Sequence, residues 1–229
     1  MRSILRSMIR LLCQLYPIYS GPAKIANSIL FRYLSKTSNP IVLTKLRDGS
    51  PILVNLNDFI GRTIYYFGDY DLKVTEICRR LLRPGDTVVD VGANCGVVTI
   101  YSSRLVGPKG HIYAIEPQPD LAVLIQKSAA IGGYSQVSVH SIALSDCDGT
   151  MNLAIPEDNS GKATLMLRNK FPYKTIQVQT KKASDYISSL SLGLIHLMKV
   201  DAEGYEYIII KDVLESLRER SPDIILFEE

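Results

Sequence analysis

Residues 88–96, Val-Val-Asp-Val-Gly-Ala-Asn-Cys-Gly, constrain the fold more than any other stretch, because they read as a buried strand that breaks into a glycine turn and opens a helix. Val88, Val89 and Val91 suit a parallel strand covered on both faces. Gly92 and Gly96 let the backbone approach a ligand closely, and the following helix presents free amides at its N-terminus. Around this cradle the pattern alternates. Strands are predicted at 87–91, 111–115, 137–144, 197–201 and 223–227, with helices through Leu105 and through Leu121, Leu124, Ile125 and Ile131. The alternation predicts a doubly wound α/β sheet with right-handed crossovers, whose ligands bind at the carboxyl ends of the strands.

The segment His111-Ile-Tyr-Ala-Ile-Glu116-Pro117 closes the second strand on a carboxylate about twenty residues past the glycine turn, where a ribose diol is bound in such folds. A dinucleotide site needs Gly-x-Gly-x-x-Gly so that a pyrophosphate can sit on the helix N-terminus. Asn94 occupies the second glycine position and breaks that fingerprint. A cofactor with a ribose and no phosphate, such as S-adenosylmethionine, is free of that demand, and Asp90 and Asn94 then face its charged amino-acid end.

Together with Lys199-Val-Asp-Ala-Glu-Gly204 and Ile224-Ile-Leu-Phe-Glu228, these segments resemble the FkbM family of S-adenosylmethionine-dependent methyltransferases. Its motifs look like Asp-Val-Gly-Ala-Asn-x-Gly, a strand closing in Glu-Pro, Lys-x-Asp-x-Glu-Gly-x-Glu, and a strand closing in Phe-Glu, here all present in order across residues 41–229. The resemblance implies a Rossmann-like class I methyltransferase sheet, with Asp90, Gly92, Ala93, Asn94, Gly96, Glu116, Pro117, Ala143 and Leu144 around the cofactor. The chain departs from the usual family pattern at Ser128 and Asp71, where Asn and Glu are common. It also ends at Glu229, after the fifth of the usual seven strands, so it is expected to be C-terminally incomplete, with an unpaired edge along 223–227.

Charge divides the chain in two. Residues 1–47 hold eight Lys or Arg and no acid, while the other 182 carry 18 basic and 23 acidic residues. The first 40 residues therefore read as a basic helical appendage and 41–229 as the methyltransferase domain. In the appendage Ile4, Leu5, Met8, Leu11, Leu12 and Leu15 share one helical face, with Arg2, Arg6 and Arg10 on another. Such a helix either packs on the domain or makes a weak peripheral membrane contact with anionic lipid. A second helix is predicted through Ile25, Ala26, Ile29, Leu30, Tyr33 and Leu34. No apolar run reaches the roughly 20 residues that span a bilayer. Four cysteines without Cys-x-x-Cys spacing suit a cytoplasmic, reduced protein, and the acidic core excludes nucleic acid. Ile41–Leu46 and Ile52–Leu56 flank Asp48-Gly49 as a hairpin, and 57–70 reads as a tyrosine- and glycine-rich loop. The insertion 145–190 carries β-like runs at 151–155 and 175–180 and is expected to cover a substrate.

Asp90, Glu116, Asp201, Glu203 and Glu228 should converge on one rim. Methyl transfer from a sulfonium asks for proximity in a dry pocket, and a hydroxyl nucleophile also benefits from a base. Asp201 and Glu203 are the candidate catalytic pair, with Lys199 on the face of Asp201 and Glu203 the favoured base. An alternative puts Mg2+ on Asp201, Glu203 and Glu228, although no metal-ligand spacing supports it. The leading reading is therefore an S-adenosylmethionine-dependent O-methyltransferase acting on a hydroxyl of a sugar, glycan or other small metabolite. A nicotinamide-dependent oxidoreductase and a non-catalytic methyltransferase-like binding protein are the alternatives.

Overall fold

The computed structural model describes residues 2–15, 21–157, 159–165, 173–190, 192–218 and 221–227. Its centre is a five-stranded, wholly parallel sheet of β3 (Thr87–Val91), β4 (His111–Ile115), β5 (Val137–His140), β9 (Leu197–Val200) and β10 (Ile225–Phe227). The spatial order is β10-β9-β3-β4-β5, so the chain turns to opposite sides of β3 and opens a crevice there. Every residue of β3 is buried, as its valine run requires. Side chains alternate across the sheet. Val88, Ile112 and Leu197 pack with Cys78 of α5 (Leu72–Leu81) and Val106 of α6 (Val97–Val106). Val89, Val91, Met198 and Val200 meet Ile187 of α8 (Ala183–Ser189) and Ile209 and Val213 of α9 (Glu206–Leu217) on the other face.

Register decides what shares the rim. Val91 lies opposite Ile115 on one side and Val200 on the other. Gly92, Glu116 and Asp201, each one residue further on, therefore leave the sheet at the same level.

Two expectations are corrected. The strand predicted over 137–144 is two: β5 ends at His140, and β6 (Ala143–Ser145) pairs in parallel with β8 (Tyr173–Lys182), which also pairs antiparallel with β7 (Gly149–Pro156). The insertion is thus a second, three-stranded sheet, and β6 belongs to it.

The segment 57–70 contains a helix, α4 (Phe59–Phe67), rather than a loop. Asp58 caps it by accepting from the Ile60 and Gly61 amides, and Gly68 ends it in the left-handed conformation. It is apolar on nearly all sides because nearly all of it is buried, which removes the polar face that would have marked it as a helix. Tyr65, Tyr66 and Phe67 belong to the core packed against the hairpin of β1 (Ile41–Lys45) and β2 (Pro51–Asn55), leaving Tyr70 as the exposed member of the aromatic group.

The helix α1 (Arg2–Gln14) packs on α4 with its basic side inward. The guanidinium carbons of Arg6 and Arg10 lie 5.5 and 5.1 Å from the Tyr65 ring centroid, and Ile9 and Cys13 complete the contact. Leu5, Met8, Leu11, Leu12 and Leu15 face solvent.

Candidate functional site

One large cavity, about 420 Å3, opens at the carboxyl ends of β3, β4 and β9. That volume falls within the range of ligand pockets. Of the residues predicted around the cofactor, Gly92, Ala93, Asn94, Glu116, Pro117, Ala143 and Leu144 line it, as do both predicted catalytic acids, Asp201 and Glu203.

Glu116 is the most constrained carboxylate on the wall. It is buried, its Oε2 accepts from the Asn94 amide at 2.7 Å, and its Oε1 accepts from the Gln118 amide at 2.9 Å. Burial pushes its pKa up to about 7, against the pull of those two amides and of Lys199. The two amides fix the carboxyl plane, and each oxygen keeps a lone pair for a further donor.

The glycine turn is internally satisfied. Gly92 and Ala93 donate to the Ile115 carbonyl, Asn94 to Glu116, Cys95 to the Asn94 side chain and Gly96 to the Ala93 carbonyl. No amide of residues 92–96 is left to meet a pyrophosphate. The two glycines also serve packing rather than close ligand approach. A Cβ on Gly92, at φ 70°, would fall 1.7 Å from the Asp201 carbonyl oxygen, and one on Gly96 would press on Ile125 of α7 (Pro119–Gly132).

Asp90 and Gly96 are not part of the lining. Asp90 is wholly buried. Its Oδ2 accepts from Thr99 at 2.6 Å, and its Oδ1, without a hydrogen-bond partner, lies 3.7 Å from Lys199 Nζ. Its buried charge holds Lys199, which in turn lines the cavity, so it positions a wall residue instead of facing a ligand. Lys199 reaches the Gly92 carbonyl at 3.0 Å and Asp201 Oδ2 at 3.1 Å. Burial works against its charge, but Asp90, Asp201 and Glu116 outweigh that and hold its pKa above the ordinary value.

The loop after β9 is closed by Glu206, whose carboxylate accepts from the Ala202 and Gly204 amides at 2.8 Å each. Glu203 sits between them with φ 44°, its carbonyl held by the Thr164 hydroxyl at 2.7 Å. Glu206 is the last residue of the Lys-x-Asp-x-Glu-Gly-x-Glu motif, and the sequence reading gave it no role, although a Glu in the first turn of a helix just after a glycine is a capping signal.

Residues from the insertion and from α4 roof the cavity. Asn159–Ala163 and Leu165 line it, with Ser160 Oγ accepting from Asn94 Nδ2 at 3.3 Å and the Ser160 carbonyl accepting from Gln118 Nε2 at 3.1 Å. The Ser160 amide donates to Asp58 Oδ1 at 2.7 Å, so the cap of α4 also anchors the roof. Tyr70, Asp71, Lys73 and Val74 line the cavity mouth, and Asp71 caps α5. Ser128, the other departure from the family pattern, is buried and ties α7 to β2 by accepting from the Leu53 amide.

Comparison with known proteins bears on this site. The model of the FkbM methyltransferase domain matches residues 90–229, which is more than half of the chain. This chain belongs to the FkbM methyltransferase family. Over 58 residues the chain is 41% identical to a protein-L-isoaspartate O-methyltransferase of Ignicoccus hospitalis, and over 58 residues 36% identical to its namesake in Methanothrix thermoacetophila. Each match covers 25% of the chain and 28% of the relative. Among solved structures, the FkbM methyltransferase of Methylobacillus flagellatus aligns over 73% of this chain and 42% of its own, at 14% identity and a TM-score of 0.41.

The group an FkbM methyltransferase implies is S-adenosylmethionine, and the residues present fit it. A fixed, buried carboxylate stands where a ribose diol would be met, and the turn beside it makes no provision for phosphate. Mg2+ finds no such support among the described residues. Among the described residues no group of three or more His, Cys, Asp or Glu is arranged to hold a metal, and Asp201 is already engaged by Lys199. Glu228, the third ligand of that alternative, lies outside the described residues.

Proposed function

We propose that this FkbM protein is an O-methyltransferase that uses S-adenosylmethionine and acts on a hydroxyl of a sugar, glycan or other small metabolite. The observation that carries the reading is that one cavity gathers Glu116, Asp201 and Glu203 at level strand ends inside the span that matches the family. S-adenosylmethionine supplies a methyl group made electrophilic by its sulfonium. Glu116 accepts the ribose hydroxyls, and the Ala93–Asn94 backbone with Ala143, Leu144 and Pro117 confines the nucleoside. Asp201, aimed by its ion pair with Lys199, orients the acceptor. Glu203 takes the hydroxyl proton as the oxygen attacks. The roof over 159–165 keeps water out.

The relatives in Ignicoccus hospitalis and Methanothrix thermoacetophila are O-methyltransferases, which favours an oxygen acceptor. A carboxylate acceptor would need no base, and this separates the two classes. Transfer of labelled methyl from S-adenosylmethionine to a panel of hydroxylated sugars and metabolites should fall about 100-fold or more in Glu203→Gln, with cofactor binding retained. Unchanged transfer in Glu203→Gln and in Asp201→Asn would remove both from the mechanism.

A further inference from the structure

The N-terminal helices present solvent with the face a soluble helix normally buries. On α1 the inward side holds Arg6, Ile9, Arg10 and Cys13, and Leu5, Met8, Leu11, Leu12 and Leu15 run along the opposite side. Leu12 is 69% and Leu15 81% exposed. The same exposure continues in α2 (Pro22–Ala26) with Ile25, and in α3 (Ile29–Ser35), which packs against α1, with Leu30, Tyr33 and Ile29, the last 89% exposed. A patch of this extent on a soluble surface marks an interaction site. Its charge has a single sign: no acid precedes Asp48, and Lys24, Arg32 and Lys36 are exposed in these same helices.

We propose that this face docks on an anionic lipid bilayer, with α1 lying in the plane of the interface. The leucines enter the boundary between headgroups and acyl chains, while Lys24, Arg32 and Lys36 meet headgroup charge. Among the described residues no helix is long and apolar enough to cross a membrane, so the contact is lateral. A second copy of the chain is a poorer occupant, because a two-fold contact would set identical acid-free segments against each other. The inward arginines explain why the stripe stays outside: their stacking on Tyr65 commits the basic side of α1 to the domain. The proposal is independent of the cofactor reading.

The test is co-sedimentation of the full chain with vesicles of phosphatidylcholine alone and with about 30 mol% phosphatidylserine. The expected result is at least about tenfold stronger binding to the anionic vesicles, reduced about tenfold or more by Leu11→Glu with Leu12→Glu. Should that variant lose its melting transition, Lys24→Ser with Lys36→Ser reads the same contact through charge and should also weaken binding. No sedimentation, or equal binding to both vesicles, would overturn the proposal. A dimer that Leu12→Glu dissociates, with no vesicle binding, would assign the face to a second copy instead.

Discussion

The rim of the central sheet and the N-terminal helices follow opposite rules of placement. On the rim, β3 and β9 bury valines, leucine and methionine around the Asp90–Lys199 pair, and the acids that line the crevice emerge at the carboxyl ends. On α1, arginines are turned inward and leucines outward. A central parallel strand has neighbours on both faces, so its sequence dictates its environment. A surface helix has only one face to hide, and its orientation depends on what the domain offers. Here the domain offers the Tyr65 ring, which receives cations. The lesson is that hydrophobic periodicity reports the existence of a helix face and leaves its direction to the partner surface.

The contrast sets an order of sensitivity, steepest at the rim. Gly92→Ala should be the most damaging change, because its Cβ would collide with the Asp201 carbonyl and at a positive φ as well. We expect a loss of about 4 kcal/mol or more, or no folded protein, in urea unfolding. Glu116→Gln keeps shape and removes charge, so S-adenosylhomocysteine should bind about 10- to 100-fold more weakly by calorimetry. Asp58→Ala removes an N-cap and the roof anchor together, for about 1–2 kcal/mol of stability and a more protease-sensitive 159–165 segment.

At the appendage the effects shrink and change direction with the face. Arg6→Ala with Arg10→Ala should cost about 1 kcal/mol through lost stacking on Tyr65. Leu12→Glu, on the exposed side, should alter stability by less than about 0.5 kcal/mol in the absence of lipid. If thermal unfolding ranks these two the other way, the inverted placement of α1 is wrong.

The parallel sheet and its acidic rim were legible because valine-rich strands, glycine turns and strand-terminal acids occupy short contiguous segments. Four of the five strands fall within a few residues of their predicted bounds, and Glu116, Asp201 and Glu203 meet at one cavity. What escaped depended on distant partners. Nothing local tells β6 to leave β5 for β8, since Ala143 and Leu144 would suit either sheet. The α4 helix carries good caps in Asp58 and Gly68, but burial on all sides erased its periodicity. Ser160 gains meaning only through Asn94, Gln118 and Asp58, 42 to 102 residues away in the chain. Asp90 and Gly92 were read as cofactor contacts, yet buried Asp90 holds Lys199 and Gly92 admits the Asp201 carbonyl.

The central claim is that a buried, ionised Glu116 receives the cofactor, and calorimetric titration with S-adenosylhomocysteine at two pH values tests it most directly. With its pKa raised to about 7, Glu116 takes up a proton as pH falls through neutrality. The account predicts micromolar-range binding at pH 8 that weakens about tenfold at pH 6, with the pH dependence lost in Glu116→Gln. No binding by the folded chain at either pH, or binding that NADH displaces with equal strength, would contradict it.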